Sequence, residues 1–501
     1  MATSIGKVVA VFCTICVISC AAYPLFWHGR PRGGMIGTPK RRFSGPLPPD
    51  QWITQRLDHF DDANIETWQQ RYFVNDTYFK GDGPVFLMIG GEGTANPIWM
   101  QEGTWIEWAQ QMGALCLMLE HRYYGESHPT KDLSVDNLRY LSSEQGLADL
   151  AHFRNFMAKT KSLTKDNKWV SFGGSYPGSL SAWFRLKYPH LVDVAVATSA
   201  PVQAVMDFRG YLDVVRDSLA TSKLGTKCND NILSAVNQLN ELLLHQVGWK
   251  TISDMFKLCK PLTGSKKNDV ANLKETLAGN FMGVVQYNKD NRAFEGAVGT
   301  EITIDTLCGI MGNDSYKDNL TKYAAINSLI LETYGEKCLD VSYDDMIKAM
   351  REVSWKSSAG EGGRQWVYQT CTEFGFFQTS DSNNQPFGAD SFPLSFSLQQ
   401  CMDIYGKHFN ITTLAQGIER TNTNYGGTGI RATKVIYPNG SIDPWHALGI
   451  LYDIPTEQKA IYINGTAHCA NMYPALPNDP PELVKAREMI YTLIQTYLKE
   501  S

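Results

Sequence analysis

Short apolar runs alternate with helix-like patterns from residue 52 onward. Four of the apolar runs have the length of a strand: residues 84–90 (PVFLMIG), 114–120 (ALCLMLE), 168–173 (KWVSFG) and 193–198 (DVAVAT). Continuous apolar runs of this length are typical of strands that are buried on both faces, as in a parallel sheet. The pattern therefore predicts an α/β fold in which helices cover a mainly parallel sheet.

One helix between these strands is clear from its spacing. Residues 142–159 repeat apolar side chains at helical intervals, namely Leu147, Leu150, Phe153 and Phe156. Such a stripe is expected to face a core, and Ser142 or Ser143 is available as the N-cap. The helix and the strands on either side of it form a predicted βαβ unit.

The pattern changes between residues 202 and 406, where helical spacing dominates. Strand-like runs return at 434–437 (KVIY) and 459–463 (KAIYI), and an amphipathic pattern closes the chain at 481–498. We interpret residues 202–406 as an inserted, mainly helical, disulfide-containing cap domain. The core domain is then formed by residues 51–201 and 407–501.

The N-terminal residues have the layout of a targeting segment. Residues 8–22 are apolar and follow a short start with one lysine, which predicts a signal peptide over residues 1–22. A membrane anchor is the alternative, but a spanning helix needs about 20 apolar residues. Residues 23–50 are rich in Pro, Gly and basic residues and are expected to be a flexible leader. Its basic cluster at residues 40–42 is either a solvated linker or a processing site.

Composition, charge and cysteine usage limit the expected partners and the expected cellular compartment. Hydrophobic residues make up 43% of the 501, charged residues 19%, and the formal net charge is -5, so nucleic acid is not an expected partner. Outside the signal the cysteines are Cys116, Cys228, Cys259, Cys308, Cys338, Cys371, Cys401 and Cys469. They lack C-x-x-C spacing, which favours disulfides in an oxidising compartment over a metal site. Glycosylation sequons support the same compartment and lie at Asn75, Asn313, Asn319, Asn410, Asn439 and Asn464.

The strongest candidate for chemistry is the sequence VSFGGSYPG at residues 170–178. A strand that ends in glycines, then a serine, then a helical pattern is the layout of a nucleophile elbow, which exposes the serine Oγ above a sheet. Pro177 stands where the usual motif has glycine, and Gly178 follows. Proline is acceptable in a first helical turn, so Ser175 remains the candidate nucleophile.

A nucleophilic serine requires a base and a carboxylate that orients the base. In hydrolases with this elbow, the acid and then the histidine follow later strands. Asp443 follows the run at 434–437, and His468 follows the run at 459–463. His446 is the alternative base, but it lies too close to Asp443 along the chain for the acid and the base to flank one imidazole.

The candidate oxyanion hole combines backbone donors of Gly91 and Tyr176. The turn GGEG follows the strand at 84–90, and Tyr176 follows the nucleophile. A plain tight turn is the alternative interpretation of GGEG. The polar and aromatic cluster at residues 120–125 is expected either to orient the site or to be a structural hydrogen-bond hub.

Six ordered motifs resemble the serine peptidase family of lysosomal Pro-X carboxypeptidase, dipeptidyl peptidase II and thymus-specific serine protease, and the thymus-specific branch most. They are EHRYYGES (120–127), YLSSEQGLADLA (140–151), GGSYPGSLSAWFRLKYPH (173–190), YQTCTEFGFFQT (368–379), NGSIDPWHALG (439–449) and GTAHCANMYP (465–474). The resemblance implies an α/β-hydrolase core with a helical cap, no cofactor, and a catalytic triad of Ser175, Asp443 and His468.

The resemblance also implies a substrate pocket and disulfide pairs. Trp445, Met472 and Phe376 are its expected pocket residues, while Ser179 and Met472 stand where the carboxypeptidase-like members carry bulkier apolar groups. By similarity the pairs are Cys228 with Cys308, Cys259 with Cys338, and Cys371 with Cys401, and Cys116 and Cys469 stay reduced. Packing is then the expected role of Cys469, rather than that of a second nucleophile.

The expected function is an exopeptidase that cleaves after proline or small residues, in the lysosome, in endosomes or outside the cell. Its expected partners are peptide substrates, and no stable membrane anchor is expected. A homodimer is a possible oligomeric state. The alternatives are an esterase or lipase with the same triad, and a catalytically inactive binding protein on the hydrolase fold.

Overall fold

The computed structural model describes residues 26–263, 266–289 and 302–500. The expected signal peptide at residues 1–22 lies outside the described residues. None of the helices in the described ranges is long and apolar enough to cross a membrane.

The strands fall into one large sheet and two small ones. In chain order they are β1 (Phe26–Trp27), β2 (Arg30–Pro31), β3 (Gln51–Arg56), β4 (Thr67–Asn75), β5 (Val85–Ile89), β6 (Leu115–Leu119), β7 (Trp169–Gly174), β8 (Val194–Thr198), β9 (Val205–Asp207), β10 (Gly375–Phe377), β11 (Val435–Gly440) and β12 (Gln458–Ile463). The large sheet has eight strands in the order β12-β11-β8-β7-β5-β6-β4-β3. The small sheets pair β1 with β2 and β9 with β10.

The large sheet is parallel except at one edge. β5, β6, β7, β8, β11 and β12 run parallel, whereas β4 is antiparallel to both β3 and β6. Every residue of β5, β6, β7, β8 and β11 is buried, because packed layers cover both faces of the sheet. This mixed sheet is an α/β-hydrolase core, and the predicted fold class is confirmed. The antiparallel edge of β3 and β4 is an addition to the predicted strands.

Fifteen α-helices are found in the described residues. They are α1 (Thr104–Met112), α2 (Val135–Leu138), α3 (Ser143–Thr160), α4 (Tyr176–Lys187), α5 (Gly210–Leu219), α6 (Lys227–Leu243), α7 (Gln246–Met255), α8 (Lys267–Gln286), α9 (Ile304–Met311), α10 (Asn319–Thr333), α11 (Tyr343–Arg351), α12 (Gly363–Gln369), α13 (Leu394–Tyr405), α14 (Ile411–Tyr425) and α15 (Pro481–Lys499). Ser142 caps α3, because its Oγ accepts the Gln145 N–H at 3.2 Å.

The region between β8 and β11 is mainly helical, and it contains all the disulfides that the described residues form. They join Cys228 to Cys308, Cys259 to Cys338 and Cys371 to Cys401, which are the pairs that the resemblance implies. Cys116 and Cys469 are buried free thiols. Within this region β9 pairs with β10, so the residues that follow β8 lie beside residues 375–377.

The first described residues differ from the flexible leader that the sequence predicts. Trp27, His28, Arg30 and Met35 each have at most 5% of their surface exposed. Separate contacts with side chains from distant parts of the chain hold this segment. Its apolar residues therefore follow no regular period in the sequence. Residues 40–46, in contrast, are exposed and belong to no helix or strand.

Candidate active site

Ser175 lies in a sharp turn between β7 and α4, with φ 65° and ψ -133°. A positive φ strains a residue other than glycine, and strain of this kind is typical of a nucleophile elbow. The turn requires glycine on both sides. A Cβ on Gly173 would lie 2.0 Å from the Pro177 carbonyl oxygen, and one on Gly178 would lie 2.4 Å from the Thr198 carbonyl oxygen. These glycines therefore let the chain pass directly from strand to helix.

Asp443 and His468 meet at the ends of neighbouring strands. Because β11 and β12 are parallel and adjacent, the residues that follow them lie at the same edge of the sheet. His468 Nδ1 lies 2.9 Å from Asp443 Oδ1, and the Trp445 N–H donates to the same oxygen at 3.0 Å. Both side chains are fully buried. The His468 N–H donates to the Gln286 carbonyl oxygen at 2.9 Å, which fixes the loop that carries the imidazole.

The electrostatics of this pair stabilise the positive charge that the imidazole gains when it accepts a proton. Burial alone would lower the pKa of His468, but the Asp443 carboxylate outweighs it and raises the pKa well above its ordinary value. Hydrogen bonding of Nδ1 to Asp443 places the proton on Nδ1 and leaves Nε2 as a proton acceptor. Within the described residues, the buried Nε2 atom has no hydrogen-bond partner. The arrangement can therefore accept a proton and stabilise the resulting charge.

The Ser175 hydroxyl is engaged by a residue that the sequence analysis missed. Its Oγ donates to the sulfur of Met35, at 2.8 Å. Met35 itself is 1% exposed and belongs to the expected leader. The first described residues therefore reach the nucleophile.

The two candidate oxyanion donors lie next to the nucleophile. A Cβ on Gly91 would lie 2.2 Å from Pro177 Cγ, so the turn after β5 packs directly on the first turn of α4. Tyr176 is the first residue of that helix, where backbone N–H groups have no partner within the helix. The Tyr176 side chain is directed elsewhere, because its hydroxyl bonds to His121 Nε2 at 3.0 Å and to Gln369 Nε2 at 3.1 Å.

Two of the three predicted pocket residues lie together. The rings of Trp445 and Phe376 are 5.4 Å apart, and the Trp445 ring is 6.4 Å from that of His468. Phe208 and Tyr211 complete the aromatic cluster, at 5.6 and 5.9 Å from Trp445.

Met472 is found in a different place. It lines a cavity of about 60 Å³ on the side of Gly91, Pro177 and Met35. Its sulfur would lie 2.4 Å from a Cβ on Gly174, so it packs against the end of β7. The structure thus separates Met472 from the aromatic cluster around Trp445.

Gln286, the last residue of α8, was not predicted and joins several parts of the site. Its Oε1 accepts Trp445 Nε1–H at 2.9 Å and the Tyr211 hydroxyl at 2.7 Å, while its carbonyl oxygen accepts the His468 N–H. A single glutamine at the end of a helix carries no sequence signal for such a role, because the partners are distant along the chain.

Glu92, in the GGEG turn, is a second residue that the sequence analysis passed over. Its carboxylate is buried, and Oε1 accepts the Met35 N–H at 3.1 Å. Burial raises its pKa, against the smaller opposing effects of hydrogen bonds and of Arg30. A carboxylate therefore lies in the cleft beside the candidate oxyanion hole.

The alternative catalytic groups are engaged elsewhere. His446 Nδ1 bonds to the Gly440 carbonyl oxygen at 3.0 Å rather than to Asp443. Burial raises the pKa of the Cys469 thiol, which favours its neutral form. In the 120–125 cluster, Glu120 pairs with Arg71 at 2.6 Å. The cluster thus contains buried structural bonds. His121 reaches toward the site through the Tyr176 hydroxyl, and Tyr124 does so through Gln369.

The glycosylation candidates differ in exposure. Asn313 and Asn464 are exposed, whereas Asn75, Asn319 and Asn410 are half-buried. Asn439 is 2% exposed, and its amide donates to the Ile450 carbonyl oxygen at 3.1 Å, so its sequon is closed to a glycan. No group of three or more His, Cys, Asp or Glu side chains that could hold a metal ion occurs in the part of the chain that the structure describes.

Comparison of the sequence with known protein families identifies the family to which this chain belongs. The profile of the family described as serine carboxypeptidase S28 matches residues 55–490, which contain Ser175, Asp443 and His468. The chain belongs to the serine carboxypeptidase S28 family. The resemblance stated from the motifs and the prediction of a serine peptidase are both confirmed.

Individual relatives of the S28 family align over nearly the whole chain. The Caenorhabditis elegans protein K12H4.7 is 38% identical over 485 residues, which cover 94% of this chain and 93% of that protein. Human thymus-specific serine protease is 36% identical, covering 90% and 87%. Bovine lysosomal Pro-X carboxypeptidase is 30% identical, covering 90% and 88%.

Proposed function

We propose that this S28 peptidase cleaves peptides through an acyl-enzyme on Ser175. His468 Nε2 accepts the Ser175 proton while Oγ attacks the peptide carbonyl carbon, and the imidazolium then gives the proton to the leaving amine. Water attacks the acyl-enzyme by the same route and releases the second product. Asp443 holds the imidazole and stabilises its positive charge.

The observation that carries this proposal is the buried bond between His468 and Asp443 at the edge of the sheet where the Ser175 elbow ends. A charge-assisted bond between fully buried groups is strong and directional. It explains why the pKa of His468 is raised although burial opposes it. The backbone N–H groups of Gly91 and Tyr176 are the proposed donors to the oxyanion, a role for which loss of one donor costs about 10²- to 10³-fold in rate.

For the substrate, we propose an exopeptidase that prefers a bond after proline or a small residue. The bovine relative is named a Pro-X carboxypeptidase, and the aromatic cluster of Trp445 and Phe376 next to His468 offers flat apolar surface for a proline ring. Met472 is proposed to contact the substrate on the other side of the nucleophile, in the cavity beside Gly91.

For the location, we propose the secretory route, ending in the lysosome, in endosomes or outside the cell. Three disulfides support an oxidising compartment, and one relative is named lysosomal. The exposed Asn313 and Asn464 are the sequons that glycan attachment is expected to use first.

The test is a matched substrate panel with the purified, processed glycoprotein. N-terminally free X-Pro and X-Ala amides are compared with blocked peptides that end in Pro-X, and with fatty-acyl esters, from acid to neutral pH. Cleavage of free amides alone identifies a dipeptidyl peptidase, and cleavage of Pro-X ends alone a carboxypeptidase. Preference for esters would favour the lipase alternative, and no turnover would favour the inactive binding protein.

Two variants test whether the turnover measured in this panel depends on Ser175. Ser175→Ala is expected to remain folded and to lose turnover by several orders of magnitude. Ser181→Ala is the matched control, because Ser181 is a buried serine of α4, the helix that follows Ser175, and its hydroxyl bonds only to Ser171 among the described residues. Equal turnover in the two variants would refute Ser175 as the nucleophile.

A further inference from the structure

The first described residues lie in the substrate cleft. In addition to the Met35 sulfur on Ser175, the Met35 carbonyl oxygen accepts the Tyr287 hydroxyl at 3.0 Å. The Gly29 carbonyl oxygen accepts Gln286 Nε2–H at 3.0 Å. A Cβ on Gly29 would lie 2.3 Å from Trp445 Cζ2, so the backbone there rests on the aromatic cluster. The chain thus covers both the nucleophile and the proposed proline pocket.

Charged side chains hold this stretch in place. Arg30 is 4% exposed, and its guanidinium makes a bidentate pair with Glu361 at 2.8 and 2.9 Å. Arg30 Nε–H also donates to the Glu92 carbonyl oxygen at 2.8 Å, and Glu92 Oε1 accepts the Met35 N–H. A bidentate pair made by a buried arginine is a specific anchor. The stretch is therefore bound in the manner of a peptide ligand.

The bound stretch is presented in a form that Ser175 does not cleave. The nucleophile faces a thioether sulfur, which is not an acyl group. The Met35 carbonyl oxygen is held by Tyr287 and not by the proposed donors Gly91 and Tyr176. Without a carbonyl carbon at Oγ and an oxygen in the oxyanion hole, acyl transfer to the enzyme has no starting geometry. The stretch blocks the site and remains intact.

The stretch ends at an exposed basic pair. Lys40 and Arg41 are exposed, and they lie in the exposed run of residues 40–46. Such loops are the preferred sites of proteolytic cleavage. Arg42, in contrast, is anchored to the body of the enzyme, because its guanidinium contacts Glu102 at 2.9 Å and Glu107 at 3.2 Å. Arg42 is therefore the first residue after the exposed Lys40 and Arg41 that ion pairs tie to the body of the enzyme.

We propose that residues 26–41, here the inhibitory segment, keep the enzyme inactive until a protease specific for paired basic residues hydrolyses the Arg41–Arg42 bond. Water supplies a hydroxyl to the new carboxyl group of Arg41 and a proton to the new amino group of Arg42. Residues 26–41 contain no cysteine, so no disulfide retains the inhibitory segment after cleavage. This inference rests on the proposed role of Ser175.

The test compares the full secreted chain before and after treatment with a paired-basic-specific protease. The readouts are the N-terminal residue, the rate of Ser175 labelling by a fluorophosphonate, and peptide turnover. We expect a new N-terminus at Arg42, together with at least a tenfold rise in labelling and in turnover. Lys40→Gln/Arg41→Gln is expected to stay uncleaved and slow under the same treatment, with the Arg42 contacts unchanged.

A synthetic peptide of residues 26–41 tests the inhibition separately. Added to the cleaved enzyme, it is expected to suppress labelling and turnover competitively, whereas a scrambled peptide has no effect. Equal labelling before and after cleavage, or no inhibition by the peptide, would overturn the inhibitory segment while leaving Ser175 as nucleophile. A cleaved, folded chain in which Ser175 is never labelled would instead overturn the proposed function.

Discussion

Gly29→Ala should activate the uncleaved chain by displacing the inhibitory segment. Gly29 has φ 72°, and an added Cβ would lie 2.3 Å from Trp445 Cζ2. The left-handed conformation costs a residue with a Cβ about 1–2 kcal/mol, and overpacking against a buried ring costs about 1–3 kcal/mol more. The sum of about 2–5 kcal/mol corresponds to roughly a 30-fold to several-thousand-fold rise in the open population.

Two other glycines provide matched controls for this prediction. Gly33 has φ 96° with no atom within 4 Å of its added Cβ, so Gly33→Ala carries the conformational cost alone. Its expected rise is about 5- to 30-fold. Gly45 has neither a positive φ nor an atom within 4 Å of its added Cβ, so Gly45→Ala should leave the open population unchanged.

The assay is the rate of fluorophosphonate labelling in the uncleavable Lys40→Gln/Arg41→Gln chain. We expect the order Gly29→Ala, then Gly33→Ala, then Gly45→Ala, with the rate of the cleaved enzyme as the upper limit. Equal rates for all three variants would refute the reasoning that the inhibitory segment closes the cleft through its fit on Trp445.

Three further predictions address the catalytic groups and the cap. Asp443→Asn should lower turnover at neutral pH by about 10²- to 10⁴-fold; since the carboxylate raises the pKa of His468 and the base must be neutral, any residual acid limb of the pH–rate profile should move to lower pH. Trp445→Phe should raise KM for proline substrates about tenfold, because ~50 Å² of lost contact at ~25 cal/mol/Å² is ~1.3 kcal/mol, while labelling of Ser175 by a small fluorophosphonate stays unchanged. Cys371→Ala/Cys401→Ala, which opens a loop with a sequence separation of 30, should lower the free energy of unfolding by about 3–4 kcal/mol in urea titrations.

The positions of the candidate triad residues in the fold were predictable because their signals are local. Each of Ser175, Asp443 and His468 follows an apolar run of strand length, and the ends of parallel strands meet at one edge. The antiparallel strand β4 escaped prediction because its residues, TWQQRYFVN, do not alternate between polar and apolar.

The inhibitory segment and Gln286 could not be predicted for a different reason. Met35 and Arg30 are bound by residues far along the chain, through backbone atoms and single ion pairs that leave no periodic trace in the sequence. Met472 was grouped with Trp445 by resemblance alone, and the structure places it in the cavity beside Gly91 and Pro177, which Trp445 does not line. Long-range contacts of this kind depend on the assembled fold.

The most direct test of the central claim is to locate the fluorophosphonate label on the cleaved enzyme by peptide mapping and to compare its stoichiometry with the loss of turnover. The account predicts one label per chain, on Ser175, with turnover falling in proportion, and no label on Ser175→Ala. A label on another residue with full loss of turnover, or a labelled Ser175 with turnover retained, would contradict it.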